Sequence, residues 1–324
     1  MQLAKTLCAL TASVMLTACG GDDDDANSNT DTARPIQITI WPNGVAPGSE
    51  AVTVQQAVVE RSTVVGVTDR AVTGVTRPAL TFYKAARPNG SAVLIAPGGA
   101  YVRVVIDKEG ADVATPYNAA GISVFVLTYR LPGDGHVDAK NAPLADAQRA
   151  IRVIRANAAQ WGIDPDRIGV MGFSAGGHVA ASLATKFDHQ VYAAQDAVDS
   201  LSARPAFAVL LYPVITMDLT HGHAGSRQAL LGSSPSSQNL FDYSLENKVR
   251  TDMPPTFVAL AADDASVEPA YNGELFASKV SAVGVNSELH VFPLSGHGFG
   301  IRAAVGDATT WPQLSLDWLR ARGM

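Results

Sequence analysis

Along the chain, short apolar runs alternate with stretches whose apolar residues recur every three or four positions. From residue 36 onward, runs at 79–84, 92–96, 123–128, 167–172, 206–211, 256–261 and 287–292 predict β-strands. The middle ones, such as Ser-Val-Phe-Val-Leu-Thr at 123–128, are apolar at nearly every position, as strands covered on both faces are. Between the runs, Leu144, Ala147, Ile151, Ile154, Ala158 and Trp161 fall on one helical face, and Gly162 with Asp164-Pro165 predicts where that helix stops. Strand and helix in alternation predict an α/β domain on a mostly parallel sheet flanked by helices. The Val- and Thr-rich stretch 37–75 predicts leading antiparallel strands. The stretch 213–255, punctuated by Gly, Ser and Pro and without helical periodicity, predicts an insertion that overhangs whatever site the sheet carries.

The first 35 residues break this pattern. Lys5 precedes an apolar run from Leu7 to Leu16, laid out as a secretory leader and too short to span a bilayer. The run ends in Leu16-Thr17-Ala18-Cys19, which looks like a bacterial lipobox and predicts cleavage before Cys19 and lipidation of that cysteine. The alternative is an ordinary leader cleaved after small residues. Residues 20–31, with Asp22 to Asp25 in a row, hold no large apolar side chain and read as a solvated tether, lacking the spaced ligands and turn glycine of a calcium loop. The expected organisation is a leader at 1–18, a tether at 19–35 and one domain at 36–324. Gly20, where some lipoproteins carry Asp, resembles the Gram-negative lipoproteins of the outer membrane. The expected location is therefore outside the cytoplasm, with a membrane anchor at Cys19.

Composition narrows the chemistry. With 47% hydrophobic and 17% charged residues the chain is no disordered polymer, and 24 Lys and Arg against 30 Asp and Glu give no electrostatic footprint for nucleic acid. Its two cysteines are Cys8 and Cys19, so the expected domain holds neither a disulfide nor a thiolate zinc site, and no metal or other cofactor is implied.

The chemistry-bearing motif is Gly172-Phe173-Ser174-Ala175-Gly176, placed between a predicted strand and a predicted helix. This is the strand–turn–helix setting in which a G-x-S-x-G elbow projects a nucleophilic serine. A serine hydroxyl needs a base and a group that orients the base, in the chain order serine, acid, histidine. His136 precedes the serine, His178 lies on the elbow helix, His221 and His223 precede any plausible acid loop, and His290 sits within a strand. His297, in the loop Ser295-Gly296-His297-Gly298-Phe299-Gly300 after the last strand, remains as the base. For the acid, Asp264 in Asp264-Ala265-Ser266-Val267 is favoured over Asp263, which is expected to hold the loop, and Glu268 reads as a helix N-terminal acid. The oxyanion donors are expected at Ala175 N–H and, after the 92–96 strand, at Gly99 and Ala100 in Pro97-Gly98-Gly99-Ala100-Tyr101. Tyr101, at the pocket rim, and Phe173, inside the elbow, are expected to contact substrate.

With these parts placed, the chain resembles an α/β-hydrolase of the acetyl xylan esterase-like group, related to bacterial feruloyl and acetyl esterases. The resemblance runs over almost all of 36–324 and includes Trp41-Pro42, Val75-Thr76-Arg77-Pro78, Tyr129-Arg130-Leu131, Leu144 to Ala150, Gly225-Ser226-Arg227 and Pro254-Pro255-Thr256. It implies a serine carboxylesterase that removes short acyl groups, acetyl first, from a carbohydrate such as xylan. Feruloyl or general small-ester hydrolysis is the alternative. The group usually has a third glycine where this chain has Ala100, which keeps the N–H but adds a methyl. His178 matches a position without a triad role. His221-Gly222-His223 is read as loop or packing histidines, because no third ligand is grouped with it. A prolyl oligopeptidase-like peptidase is disfavoured because only about 55 residues of the domain precede the oxyanion strand. A lipase is disfavoured because 213–255 has no amphipathic lid pattern, and a catalytically dead binding protein because every triad position is filled.

Overall fold

A computed structural model describes residues 35–324. The predicted leader, the lipidation site Cys19 and the acidic tether up to Arg34 lie outside the described residues. Among the described residues, no helix is long and apolar enough to cross a membrane.

Eight strands form the main sheet: β1 (Ile36–Thr39), β4 (Ala79–Tyr83), β5 (Ala92–Ala96), β7 (Ser123–Thr128), β8 (Ile168–Phe173), β9 (Ala208–Leu211), β10 (Thr256–Ala261) and β11 (Ser287–Phe292). Their order is β1-β4-β7-β5-β8-β9-β10-β11. The pairs β1–β4 and β4–β7 are antiparallel, and every pairing from β7 to β11 is parallel. The strands β5, β7, β8, β9 and β10 are buried at every position, as their unbroken apolar runs require. The edge strands β1 and β11 are half exposed, and their sequences alternate accordingly.

The stretch 37–75 supplies more than β1. Its β2 (Ala57–Glu60) and β3 (Arg70–Thr73) leave the main sheet and pair with β6 (Val104–Val105) in a separate three-stranded sheet. Helices α1 (Asp112–Ala119), α2 (Ala142–Ala156), α3 (Ala158–Trp161) and α4 (Ser174–Lys186) connect the central strands. The single helix expected through Trp161 breaks at Asn157, whose side chain turns back to the Val153 carbonyl. Gly162 then ends α3 at φ 71°. The insertion 213–255 forms two short helices where no periodicity predicted any, α5 (Ala224–Leu231) and α6 (Ser237–Tyr243), started by side-chain caps from His223 and Ser236. Helices α7 (Leu275–Ala282) and α8 (Trp311–Arg320) complete the domain.

Several sequence segments that lie far apart meet at one buried cluster. Asp146 on α2, fully buried, accepts the indole N–H of Trp41 at 2.7 Å and the Arg130 backbone N–H at 2.8 Å, and pairs with the Arg130 guanidinium at 3.0 Å. That guanidinium also donates to the Pro47 carbonyl and faces the Trp41 ring. The segment that follows β1 is thus fastened to the helical layer.

The strand order reverses between β5 and β8, because the chain moves from β5 outward to β7 and returns on the other side at β8. Ala96 and Gly172 face each other at the ends of these two strands, so the loops leaving them start side by side. A crevice at such a switch point, beyond the carboxyl ends of the strands, is where an open α/β sheet can hold a ligand.

Candidate active site

β8 passes into α4 without a loop, with Phe173 closing the strand and Ser174 opening the helix at φ 52°. That left-handed backbone is costly for serine and is held here by the packing around it. A Cβ on Gly172 would lie 2.1 Å from the Gly176 carbonyl oxygen, and one on Gly176 only 2.0 Å from that of Ala96. Both glycines are required by close backbone approach, which is what lets the turn be so sharp.

Three side chains from three strand ends converge. Ser174 Oγ lies 2.7 Å from His297 Nε2, and His297 Nδ1 lies 2.7 Å from Asp264 Oδ2. A carboxylate only accepts, so Nδ1 carries the imidazole proton and Nε2 is left to accept from the serine hydroxyl. Asp264 follows β10, is buried, and receives the Ser266 and Val267 N–H groups on Oδ1, which leaves Oδ2 for the histidine. Asp263, its neighbour, faces the other way and accepts the N–H groups of Ser295 and Gly296 at 3.0 and 2.8 Å. The histidine loop is anchored further by Phe299, buried edge-on against Tyr212, and by Lys108, which donates to the Gly298 carbonyl.

The loop after β5 turns through three consecutive left-handed residues, Gly99 at φ 137°, Ala100 at 54° and Tyr101 at 62°. Its first amide, Gly98 N–H, is taken by Glu109 Oε2 at 2.8 Å. Among the described residues, the next two amides, of Gly99 and Ala100, have no protein acceptor. They are in place, with Ala175 at the first turn of α4, to serve as donors to a developing oxyanion.

Two expected substrate contacts are placed elsewhere by their side chains. Tyr101 is only 2% exposed: its left-handed backbone turns the ring inward, where its hydroxyl meets His178 Nδ1 at 2.7 Å. Phe173 is fully buried, its ring packed against Tyr212 and Trp311, because the last residue of β8 points into the layer below the turn. Neither side chain reaches the rim. His178 in turn donates from Nε2 to the Tyr243 carbonyl at 2.7 Å, and burial drives its imidazole down to about 3. It is a neutral structural link.

Other histidines have partners of their own. His290 pairs with Glu288 on β11, His136 meets Ser49, and His221 stacks on Tyr271 while pairing with Glu268. Glu268, just ahead of the 270–274 turn, is therefore also a hydrogen-bond partner of His221. His221 to Gly225 share a polar cavity of about 450 Å³ with Asp264, Ser266 and Glu268, so the insertion borders the acid's loop. Among the described residues, no three His, Cys, Asp or Glu side chains are grouped to hold a metal ion.

Sequence reasoning missed Glu109 and Tyr212. Glu109 is buried beside the serine, and burial raises its carboxyl above the ordinary range. It sits in a π-helical turn, Asp107–Ala111, whose register no hydrophobic period foretells. The one trace is an acidic residue three positions past the end of the apolar run Val104-Val105-Ile106, next to Gly110.

The BD-FAE family profile matches residues 81–279. An acetylxylan esterase of Xylanibacter ruminicola is 34% identical over 216 residues, covering 66% of this chain and 42% of that protein. An endo-1,4-beta-xylanase B of Butyrivibrio fibrisolvens is 37% identical over 209 residues, 64% of this chain and 32% of that protein. The match thus spans less than half the length of either relative. Among solved structures, an acetyl ester-xyloside bifunctional hydrolase from Caldicellulosiruptor lactoaceticus is 33% identical with a TM-score of 0.72, covering 90% of this chain and 97% of that one. The carboxylesterase Cest-2923 of Lactobacillus plantarum is 25% identical with a TM-score of 0.62, covering 83% and 98%. The chain belongs to the BD-FAE family of acetyl xylan esterase-like α/β-hydrolases.

Proposed function

We propose that the protein is a serine carboxylesterase that removes short acyl groups, acetyl foremost, from a carbohydrate such as xylan. The observation that carries this reading is the unbroken line from Ser174 Oγ through His297 to Asp264, with 2.7 Å at each step. The acetylxylan esterase and the acetyl ester-xyloside hydrolase among its relatives support the choice of substrate.

In this mechanism Ser174 Oγ attacks the ester carbonyl carbon while His297 Nε2 takes its proton, and Asp264 stabilises the imidazolium. The carbonyl oxygen becomes an oxyanion between the N–H groups of Gly99, Ala100 and Ala175. Collapse breaks the bond to the sugar oxygen, which receives the proton from His297, and leaves an acyl ester on Ser174. Water, deprotonated by His297, then attacks that ester and releases the carboxylic acid and free Ser174.

Ser174→Ala tests the reading. It is expected to abolish hydrolysis of a short nitrophenyl ester with thermal unfolding unchanged, and a folded variant that retained activity would refute the assignment. Acetylated xylan, methyl ferulate and nitrophenyl esters of graded length, assayed side by side, identify the substrate; the expected order places acetyl esters first.

The location outside the cytoplasm is part of the same proposal and rests on sequence alone. Lipidation of Cys19 predicts that Cys19→Ser releases the protein from the membrane fraction, and an unchanged fraction with no lipid on the native chain would overturn it.

A further inference from the structure

Glu109 lies where the oxyanion loop, the nucleophile and the histidine loop come together. The π-helical turn that carries it follows β6 directly and is pressed against β7 at Gly110, where a Cβ would come within 2.9 Å of the Val126 side chain. This wide turn directs the Glu109 carboxyl inward, with 3% of the residue exposed. A Cβ built on Gly98 would lie 2.7 Å from Glu109 Oε2 and 2.9 Å from Ser174 Cβ, so carboxyl and nucleophile flank the same glycine.

Both oxygens of its carboxyl receive hydrogen bonds. The Gly98 N–H donates to Oε2 at 2.8 Å, and the Tyr212 hydroxyl meets Oε1 at 2.9 Å. The Tyr212 oxygen itself receives the Gly300 N–H at 3.0 Å, which leaves its own proton for the carboxyl. Glu109 thus accepts on both oxygens, the pattern of a carboxylate. At the far end, the Gly300 carbonyl accepts the Trp311 indole N–H at 2.7 Å. One buried carboxylate therefore connects the loop after β5 to the loop after β11.

We propose that Glu109 is a positioning residue of the active site, whose carboxylate sets the oxyanion loop through Gly98, sets the His297 loop through Tyr212, and supplies a negative charge that favours the imidazolium. This rests on the serine hydrolase reading above. By holding the Gly98 amide, Glu109 fixes the plane from which the Gly99 and Ala100 N–H groups project. By holding Tyr212, whose ring packs edge-on against His297 at 5.1 Å, it restrains the base as well. The titratable groups around it are Lys108 on its own turn, His297 and Asp264 beyond Tyr212, and Tyr129, whose hydroxyl holds the Pro97 carbonyl. Lys108 and the imidazolium are the two cations that a carboxylate here opposes; the tyrosines stay neutral because burial raises their hydroxyls.

Charge and connection can be separated by mutation. Glu109→Gln removes the charge and leaves one of its two donors without an acceptor. It is expected to lower kcat by about tenfold to a hundredfold, with KM for a nitrophenyl acetate little changed. Without the carboxylate the imidazolium is less favoured, so the acid limb of the kcat/KM profile moves to lower pH. Tyr212→Phe severs the bond to Gly300 and removes one donor from Glu109 but leaves the Gly98 N–H on the carboxylate, so kcat falls while the acid limb moves less than in Glu109→Gln. Glu109→Asp keeps the charge on a shorter arm and is expected to restore the limb more fully than the rate. A folded Glu109→Gln enzyme with native kcat and a native acid limb would overturn the proposal. If that variant does not unfold cooperatively, a folded Tyr212→Phe enzyme with native kcat would do so instead. Activity surviving in Ser174→Ala would sink the hydrolase reading itself, which separates the two failures.

Discussion

Asp263 and Asp264 adjoin in the chain and grip the same loop at two different points, Asp264 by the His297 side chain and Asp263 by the Ser295 and Gly296 amides. The two carboxylates therefore differ in what their loss costs. Asp264→Asn presents an amide where Nδ1 needs an acceptor, and kcat is expected to fall by about three to four orders of magnitude as the wrong tautomer is favoured. Asp263→Ala frees the loop without touching the imidazole and is expected to cost between about tenfold and a hundredfold through misplacement of the base. Steady-state kinetics on both folded variants checks this, and equal losses would contradict the division of labour.

Asp146 carries the cluster that joins Trp41 and Arg130. Asp146→Ala leaves a buried guanidinium without its counter-charge and strands the Trp41 indole N–H. The expected loss of stability in chemical denaturation is about 3–5 kcal/mol. A loss below about 1 kcal/mol would show that the ion pair is replaceable by solvent.

His178 makes the fold sensitive to acid. Its folded value of about 3 lies below that of an unfolded histidine, about 6.5. Between these values the unfolded chain binds the extra proton, so stability is full above about pH 6.5 and declines as pH falls toward 3, on the order of 1 kcal/mol per pH unit. His178→Gln is expected to lower the thermal midpoint at pH 8 but to flatten its dependence between pH 4 and 6. Some slope remains from His136, which burial also lowers. An unaltered slope in the variant would place the acid sensitivity elsewhere.

Ala100 occupies a left-handed position, φ 54°, that favours glycine. Ala100→Gly relieves that strain while loosening the unfolded chain, two effects of about 1 kcal/mol in opposite directions. The thermal midpoint is expected to hold and kcat to remain within about threefold, because the N–H is kept. A large loss of rate would mean that the methyl itself orders the loop.

Features that repeat along the chain were legible in the sequence. The runs at 92–96, 123–128, 256–261 and 287–292 are strands with those bounds, since continuous or alternating apolar positions follow directly from burial on two faces or one. Ser174, Asp264 and His297 were legible because each lies just past a strand end in a fixed chain order, and glycine marks the turns. Side-chain direction was not. Tyr101 and Phe173 stand beside reactive positions in sequence, but a left-handed backbone turns one ring inward and the strand pleat buries the other. Glu109 was hidden for a different reason: its π-helical turn has no period to detect, and its partners Gly98 and Tyr212 lie 11 and 103 residues away.

The Trp41–Asp146 contact sets how far this domain can be trimmed. The segment matched by the family profile starts at residue 81, yet a chain cut there would lose β1 from the sheet edge and leave Asp146 without its indole partner. The stretch by which relatives recognise one another is thus shorter than the unit that has to fold. Limited proteolysis that reaches Trp41 would injure the interior, although it cuts far from the serine in sequence.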